Sequence, residues 1–286
     1  MYGREAVFPS QVPIELPLST IILPDEASYV MMLWAAKDTG RVEAVVGPYK
    51  LYDHSFRTLQ GNEWLSDEVI DAYVHYILEK QQKPIHQMCA VVATSLFTGK
   101  FRTLMKMKFP VVEKWACPVN VGAHWILLVV DIPLKKIILI DPFGNEASYE
   151  RRILRNWRNF MKQRGDDENR ATWTVATLQH NKQRDGSSCG VLILKFAEHL
   201  LSEGDISRVQ TTSDFVTNAR LEIACSLLEY QGKALDYCVI CSMMEGDADK
   251  TLIEMVQCDH CNRWAHFQCA NFDPKNQFAF ICTKCL

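Results

Sequence analysis

Apolar residues at Leu65, Val69, Ile70, Tyr73, Val74 and Ile77 recur at three- and four-residue intervals, which predicts a helix over Trp64–Lys80, just after Gly61-Asn62. Two dense apolar runs come next, His124–Asp131 (HWILLVVD) and Lys136–Asp141 (KIILID). They are joined by Pro133 and charged residues and predict a pair of strands. Glu150–Arg164 returns to helical spacing, with Ile153, Leu154, Trp157, Phe160 and Met161 on one face and Arg151, Arg155, Arg158 and Lys162 on the other. Thr172–Gln179 reads as a strand. Cys189–Leu201 is apolar nearly all round, which predicts a buried helix. Leu221–Tyr230 is a further helix-like run. Strands in the middle with helices before and after predict an α+β body over residues 49–230. Residues 1–48, with several prolines and little period, read as an N-terminal extension of uncertain order.

Length and charge narrow the function classes. At roughly 150 residues per domain, 286 residues suggest about two domains. A 48% hydrophobic and 23% charged composition argues against a disordered chain. The 31 Lys+Arg against 34 Asp+Glu give a net charge of -3, so the whole chain is not a polybasic nucleic-acid binder. The arginine-bearing face of 150–164 reads as a solvated helix surface, and no direct nucleic-acid binding is expected. The longest apolar runs, such as Val30–Ala36 and Trp125–Val130, fall well short of the ~20 residues that span a bilayer. The N-terminus lacks the apolar core of a secretory signal. A soluble intracellular protein with no membrane partner is expected.

The cysteines divide the chain. Of 11, seven lie after residue 237, while Cys89, Cys117, Cys189 and Cys225 are scattered. An odd total clustered in CxxC pairs fits metal binding better than a disulfide framework. This places a boundary near Gln231-Gly232-Lys233 and a second unit over 231–286.

Cys189 sits in Asp185-Gly186-Ser187-Ser188-Cys189-Gly190, a turn-rich segment that leads straight into the apolar helix. A thiol at a helix N-terminus meets the positive end of the backbone dipole, which favours the nucleophilic thiolate. His124 opens one predicted strand and Asp141 closes the next, so antiparallel pairing would bring both to one end of the sheet. There the carboxylate would orient the imidazole and the imidazole would activate the thiol. Gln183, six residues before Cys189, could donate to a developing oxyanion. Taken singly, each has a plain alternative: a small buried hydrophobe, a strand-end histidine, a turn residue, a surface amide. Cys89, Cys117 and Cys225 lack such context and read as packing residues.

Together these residues resemble the ubiquitin-like-protein-specific cysteine proteases that process SUMO and related modifiers. The resemblance runs from about Tyr49 to Leu228. It is carried by Trp64-Leu65-Ser66-Asp67-Glu68-Val69-Ile70, similar to that family's WLxDExI motif, by His124-Trp125, by Ile140-Asp141-Pro142-Phe143, and by Gln183–Gly190 (QRDGSSCG). Separations of 17 residues from His124 to Asp141 and 48 from Asp141 to Cys189 are similar to the family's. The resemblance implies a papain-like fold with Cys189 as nucleophile, His124 as general base and acid, Asp141 as orienting carboxylate and Gln183 as oxyanion donor. It also implies that Trp64 and Trp125 flank a tunnel for an extended Gly-Gly tail, through which only residues lacking a Cβ would pass. Two positions depart from it: Ser188 stands where the family usually has Asp, and Asp185 where many members have Asn. Neither supplies a catalytic group, and both bear on substrate choice.

The tail spacing is Cys238-x2-Cys241, x16, Cys258-x2-Cys261, x4, His266-x2-Cys269, x12, Cys282-x2-Cys285. Eight such ligands suffice for two structural tetrahedral zinc ions, with no ligand position left open for catalysis. With Trp264 two residues before His266, the order resembles a PHD finger. That resemblance implies an interleaved cross-brace: Cys238, Cys241, His266 and Cys269 on one zinc, and Cys258, Cys261, Cys282 and Cys285 on the other. Tyr237, Met255 and Trp264 occupy positions resembling the walls of a methyl-lysine cage. The acidic residues Glu245, Asp247 and Asp249 are placed to attract a basic histone tail.

The expected function is a cysteine protease cleaving after the C-terminal Gly-Gly of a ubiquitin-like modifier, SUMO first among them. Its finger would target chromatin or another protein, and both resemblances imply nuclear residence. Two alternatives stay open: a catalytically silent modifier-binding protein whose finger reads histone tails, and an acetyltransferase with a protease-like triad.

Overall fold

The computed structural model describes residues 25–81, 83–165, 172–230, 237–243, 254–275 and 279–285. It opens with helix α1 (Asp25–Ala35), the hairpin β1 (Val42–Val46) and β2 (Tyr49–Tyr52), and the short α2 (Asp53–Arg57). The hairpin turn needs glycine at Gly47. Its φ of +55° is left-handed, and a Cβ there would lie 2.0 Å from His75 Nε2. Helix α3 (Asp67–Gln81) follows, then β3 (Ile85–Gln87), α4 (Ala90–Phe97) and a 3-10 turn (Arg102–Lys106). The predicted start of α3 at Trp64 moves to Asp67. The Ser66 hydroxyl accepts from Val69 N, and Asp67 and Glu68 fill the first turn, where the helix dipole favours carboxylates. Trp64 therefore precedes the helix.

The centre is a five-stranded mixed sheet in the order β3-β4-β5-β6-β7, with β4 (Lys114–Asn120), β5 (Trp125–Asp131), β6 (Lys136–Ile140) and β7 (Thr174–Thr177). β5 and β6 pair antiparallel, as the two dense apolar runs suggested, with Leu127 opposite Ile140. Every residue of β5 is buried, because helices cover both faces of the sheet. Trp125, Leu127 and Val129 face a cluster built with α3, α6 (Cys189–Ser202) and α7 (Ser213–Glu229). Ile126, Leu128 and Val130 face a second cluster containing Trp157 and Phe160 of α5 (Glu146–Gln163) and Phe97 of α4. The sheet is thus the middle layer of three. On α5, Arg151, Arg155 and Lys162 are exposed, while Arg158 donates to Trp173 O.

The extension expected over residues 1–48 requires correction. Val30 and Leu33 of α1 and Ala44 and Val46 of β1 are buried in the same cluster as α6 and α7. The body therefore includes the chain from Asp25 onward. α1 escaped the sequence reading because it buries only a narrow stripe on α7, leaving Met31 and Met32 exposed. The predicted boundary at 231–233 lies outside the described residues, as do Glu245, Asp247 and Asp249.

The small unit consists of a hairpin, β8 (Met255–Gln257) with β9 (Trp264–His266), and the one-turn α8 (Phe267–Ala270). Its buried centre is Cys238, Val239, Cys258, Ala265 and Cys282.

Candidate active site

Antiparallel pairing of β5 and β6 brings His124, just before β5, and Asp141, just after β6, to one end of the sheet. There His124 Nε2 meets Asp141 Oδ1 at 2.6 Å. The carboxylate is fixed independently of the histidine: Oδ1 accepts from Phe143 N at 3.0 Å and Oδ2 from Asn145 N at 3.1 Å. Phe143, exposed at the rim, stacks on the His124 ring with centroids 4.8 Å apart. With Nε2 engaged by Asp141, Nδ1 is the ring nitrogen left for the Cys189 thiol, which is His124's other hydrogen-bonding partner. Burial alone would depress the imidazole pKa. The hydrogen bonds and charges of Asp141 and Cys189 outweigh it and raise the value to about 9. Burial likewise works against the Asp141 anion, but the His124 hydrogen bond and charge and the two backbone donors hold its pKa below the ordinary value.

Cys189 is the first residue of α6 and is only 3% exposed. The loop before it is shaped by Asp185, whose Oδ1 accepts from Ser187 N and Ser188 N, both at 2.7 Å, while Oδ2 accepts from the Ser188 hydroxyl at 2.7 Å. Both departures from the family pattern thus meet in one hydrogen bond inside the loop. Ser188 is buried, with its hydroxyl engaged by Asp185. Gln183 is buried in the same segment, its Nε2 donating to Asp185 O at 2.7 Å. Nε2 also lies 3.5 Å from Asp185 Oδ1. The first-turn N–H groups of α6 have no intrahelical partner and can meet a developing oxyanion.

The two tryptophans differ. Trp125 is 6% exposed and packed into the core, whereas Trp64 is 50% exposed. An open groove of about 410 Å³ runs beside Trp125, lined also by Leu65, Asp67, Val91 and Asn120 among others. The chain around Trp64 is drawn tightly onto the nucleophile helix. A Cβ at Gly190 would fall 3.0 Å from Leu65 Cβ, so any larger residue there would have to push the two segments apart. Sequence reasoning missed Phe143 as a ring partner, Asp185 as the loop's organiser and Arg220, whose guanidinium lies beneath the site. Of the remaining body cysteines, Cys117 is fully enclosed and Cys89 and Cys225 partly so, and burial pushes all three thiols up.

In the finger, the ligand atoms of Cys238, Cys241, His266 and Cys269 all lie within 4.8 Å of one another, as do those of Cys258, Cys261, Cys282 and Cys285. This is the interleaved pairing. Zinc–sulfur bonds of about 2.3 Å in a tetrahedron imply sulfur–sulfur edges of about 3.8 Å, and Cys261 Sγ lies 3.8 Å from Cys282 Sγ. His266 presents Nδ1 to Cys241 and Cys269 at 3.5 and 3.6 Å. Backbone N–H groups of His266 and Cys282 point at Cys238 and Cys258 Sγ, as thiolate ligands require. The donor sets fit two zinc ions. A third group, Asp38, Asp53 and His54, does not: Asp53 already accepts from the backbone of Thr39, Gly40 and His54.

The finger is seated on the body. Glu43 of β1 is buried between Arg41, with Nε at 2.6 Å, the Tyr29 hydroxyl at 2.7 Å, and the finger's Arg263 at 4.0 Å. Lys284 donates to Thr39 O. Lys50 donates to Ser242 O at 3.2 Å, and its Nζ lies 4.5 Å from the centre of the Tyr237 ring. Tyr237 is consequently 8% exposed, whereas Trp264 is 40% exposed. Met255 and Trp264 share one face of the hairpin, because Gln257 is paired with Trp264 and Met255 with His266. The three expected cage residues are therefore divided: Tyr237 contacts Lys50, and only Met255 and Trp264 remain on a common open face.

Comparison with known proteins agrees with this architecture. The model of the Ulp1 protease family, C-terminal catalytic domain, matches residues 63–234, and that of the PHD-finger matches 238–285. Human sentrin-specific protease 2 is 24% identical over 171 residues, 54% of this chain and 28% of that protein. A sentrin-specific protease of Caenorhabditis elegans is 23% identical over 197 residues, 62% of this chain and 27% of that one. The alignments thus span little more than a quarter of these relatives. Among solved structures, the C-terminal Ulp1 protease domain in complex with Smt3, the yeast ortholog of SUMO, superposes with a TM-score of 0.59 at 18% identity, covering 72% of this chain and 94% of that one. The Chaetomium thermophilum Ulp1-like SUMO protease catalytic domain gives 0.57 at 20%, covering 76% and 92%. These likenesses establish the papain-like fold. The chain belongs to the Ulp1 protease family, with a PHD-finger at its C-terminal side.

Proposed function

We propose that the body is a cysteine peptidase that cleaves after the C-terminal Gly-Gly of a ubiquitin-like modifier, SUMO first among them, for maturation or deconjugation. The observation that carries this is the convergence of Cys189, His124 and Asp141 at one end of the sheet, with Gln183 buried in the segment that leads to the thiol. The Cys189 thiolate attacks the carbonyl carbon of the terminal glycine. The oxyanion is met by Gln183 Nε2 and first-turn N–H groups of α6, and His124 delivers its proton to the leaving amine. The resulting thioester is hydrolysed by a water that His124 deprotonates, which regenerates the pair. Asp141 holds the ring and balances its charge throughout. Trp125 forms the fixed wall and Trp64 the outer wall of the passage for the tail. SUMO is favoured because the curated relatives are named sentrin-specific and a structural relative holds a SUMO ortholog.

The finger holds two structural zinc ions in the sets described above and takes no part in bond cleavage. Its open Met255–Trp264 face is the proposed contact for a histone tail, and nuclear residence follows from that role. The test is covalent labelling by electrophile probes built on the C-termini of SUMO, ubiquitin and ubiquitin's closest relatives. A Cys189-dependent adduct with one modifier, absent in Cys189→Ala, is expected. No adduct with any of them from folded, zinc-loaded protein would overturn the reading.

A further inference from the structure

Arg220 sits on α7, 2% exposed, directly beneath the nucleophile loop. Its guanidinium donates to three backbone carbonyls from two separate segments. Nη1 reaches Thr58 O at 3.2 Å and Nη2 reaches Glu63 O at 2.9 Å, both in the chain that leads to Trp64. Nη2 also reaches Ser187 O at 3.5 Å, two residues before Cys189. Among the described residues no carboxylate lies within ion-pair distance of it, and its Nε is buried without a hydrogen-bond partner. A buried cation held by carbonyls alone is costly to keep. A leucine or methionine would fill the same volume without that cost, so packing does not account for an arginine here.

The geometry accounts for it. Trp64 lies between Glu63, whose carbonyl Arg220 holds, and Leu65, which packs against Gly190 so closely that a Cβ there would approach to 3.0 Å. The half-exposed tryptophan is therefore tied to the nucleophile segment on both flanks: through Arg220 to Ser187 on one side and through Gly190 on the other. Only a planar fork reaches three carbonyls at once; a lysine ammonium on a flexible stem offers no such fixed spacing. The acidic groups whose charges act on it are Asp185, Cys189 and Glu63, and Asp185 is already engaged by Ser187 and Ser188.

We infer that Arg220 is a positioning residue that fixes Trp64 against Cys189, so that an extended modifier tail is threaded in register for attack. This rests on the protease reading above. Its effect falls on the tail and not on the thiol itself, which separates it from a merely structural arginine.

The test uses the zinc-loaded full chain carrying Arg220→Lys, Arg220→Met or Gly190→Ala. Two rates are measured per folded active site: turnover of a fluorogenic amide of the responding modifier's C-terminus, and alkylation of Cys189 by iodoacetamide, which needs no tunnel. A roughly 10- to 100-fold fall in kcat/KM with less than a threefold change in alkylation is expected for Arg220→Lys and Arg220→Met. Gly190→Ala, which forces the same segments apart from the other flank, should show the same split. If Arg220→Met does not fold, the other two variants decide. Equal falls in both rates, or none in either, would overturn the positioning role while leaving the peptidase in place. A wild-type chain labelled by no modifier probe would overturn both readings.

Discussion

In the body, two apolar clusters on opposite faces of a five-stranded sheet contain Trp157, Phe160, Phe97, Tyr73 and dozens of aliphatic neighbours. Among the described residues of the finger the buried centre has five, three of them cysteines of the two metal-binding sets. The body's fold is thus driven by removal of apolar surface from water, and its candidate active site is a by-product of strand ends meeting. A unit of the finger's size buries too little for that, so its geometry follows from ligand chemistry. The seam at Glu43 couples the two, because Arg263 of the finger and Arg41 of the body share one buried carboxylate. What differs is therefore the source of order: sequence-wide patterning in one region, eight side chains in the other.

The largest expected effect is metal removal. Structural zinc contributes about 10–16 kcal/mol per site in isolated fingers, so chelation should unfold residues 237–285 while the body keeps its own cooperative thermal transition. Two-dimensional NMR of the chelated chain would show native body resonances beside collapsed finger resonances; joint loss of both would break the distinction. Next is chemistry. Asp141→Asn should lower kcat/KM by roughly 10⁴-fold through the wrong imidazole tautomer, with the melting temperature little changed, in peptidase assays with and without chelator. Trp157→Ala, deep in the α5 cluster, should cost about 3–5 kcal/mol of body stability in urea titration without releasing zinc. Glu43→Gln leaves the buried Arg263 and the half-buried Arg41 guanidiniums without their counter-charge and should cost about 3 kcal/mol. It is the one substitution expected to loosen both regions, seen as faster hydrogen exchange in β1 and around Arg263.

The smallest effect is on pH. The folded pKa of His124, about 9, lies above its ordinary 6.5. The stabilisation from the imidazolium is therefore fully present below about pH 6.5 and is lost as pH rises through about 9. Asp141 works the other way: its contribution is present above the ordinary carboxylate range and is lost as pH falls through its lowered value. Activity should accordingly hold across neutrality and decline on the alkaline side near pH 9. An alkaline limb near 6.5 would mean that His124 lacks the carboxylate support described.

The strands β5 and β6, the helices α5 and α6 and all eight metal donors were legible because each is written locally, in apolar period or in CxxC spacing. The meeting of His124 and Asp141 followed from one topological assumption, antiparallel pairing, which holds. What stayed hidden is relational. Arg220 looks like any helix arginine until its carbonyl partners, 157 and 162 residues away, are in place. α1 and β1 were hidden by weak amphipathicity, since their burial comes from a partner helix late in the chain. The bond of Ser188 to Asp185, three residues earlier, is likewise invisible in a linear comparison.

Were a tail at the proposed Met255–Trp264 contact to recruit the Tyr237 ring as well, Lys50 over that ring would act as a built-in competitor. A ring engaged in cis is present at a fixed, high effective concentration, whereas a histone tail must arrive from solution. If the cis contact is worth about 1.4 kcal/mol, the ring is free only about a tenth of the time, and the apparent affinity for a methylated lysine falls about tenfold. Lys50→Ala should restore that factor in a peptide titration. By reciprocity, a tail that does win the ring would loosen the finger from β2, and occupancy at one end of the molecule would be felt at the other as a change in seating.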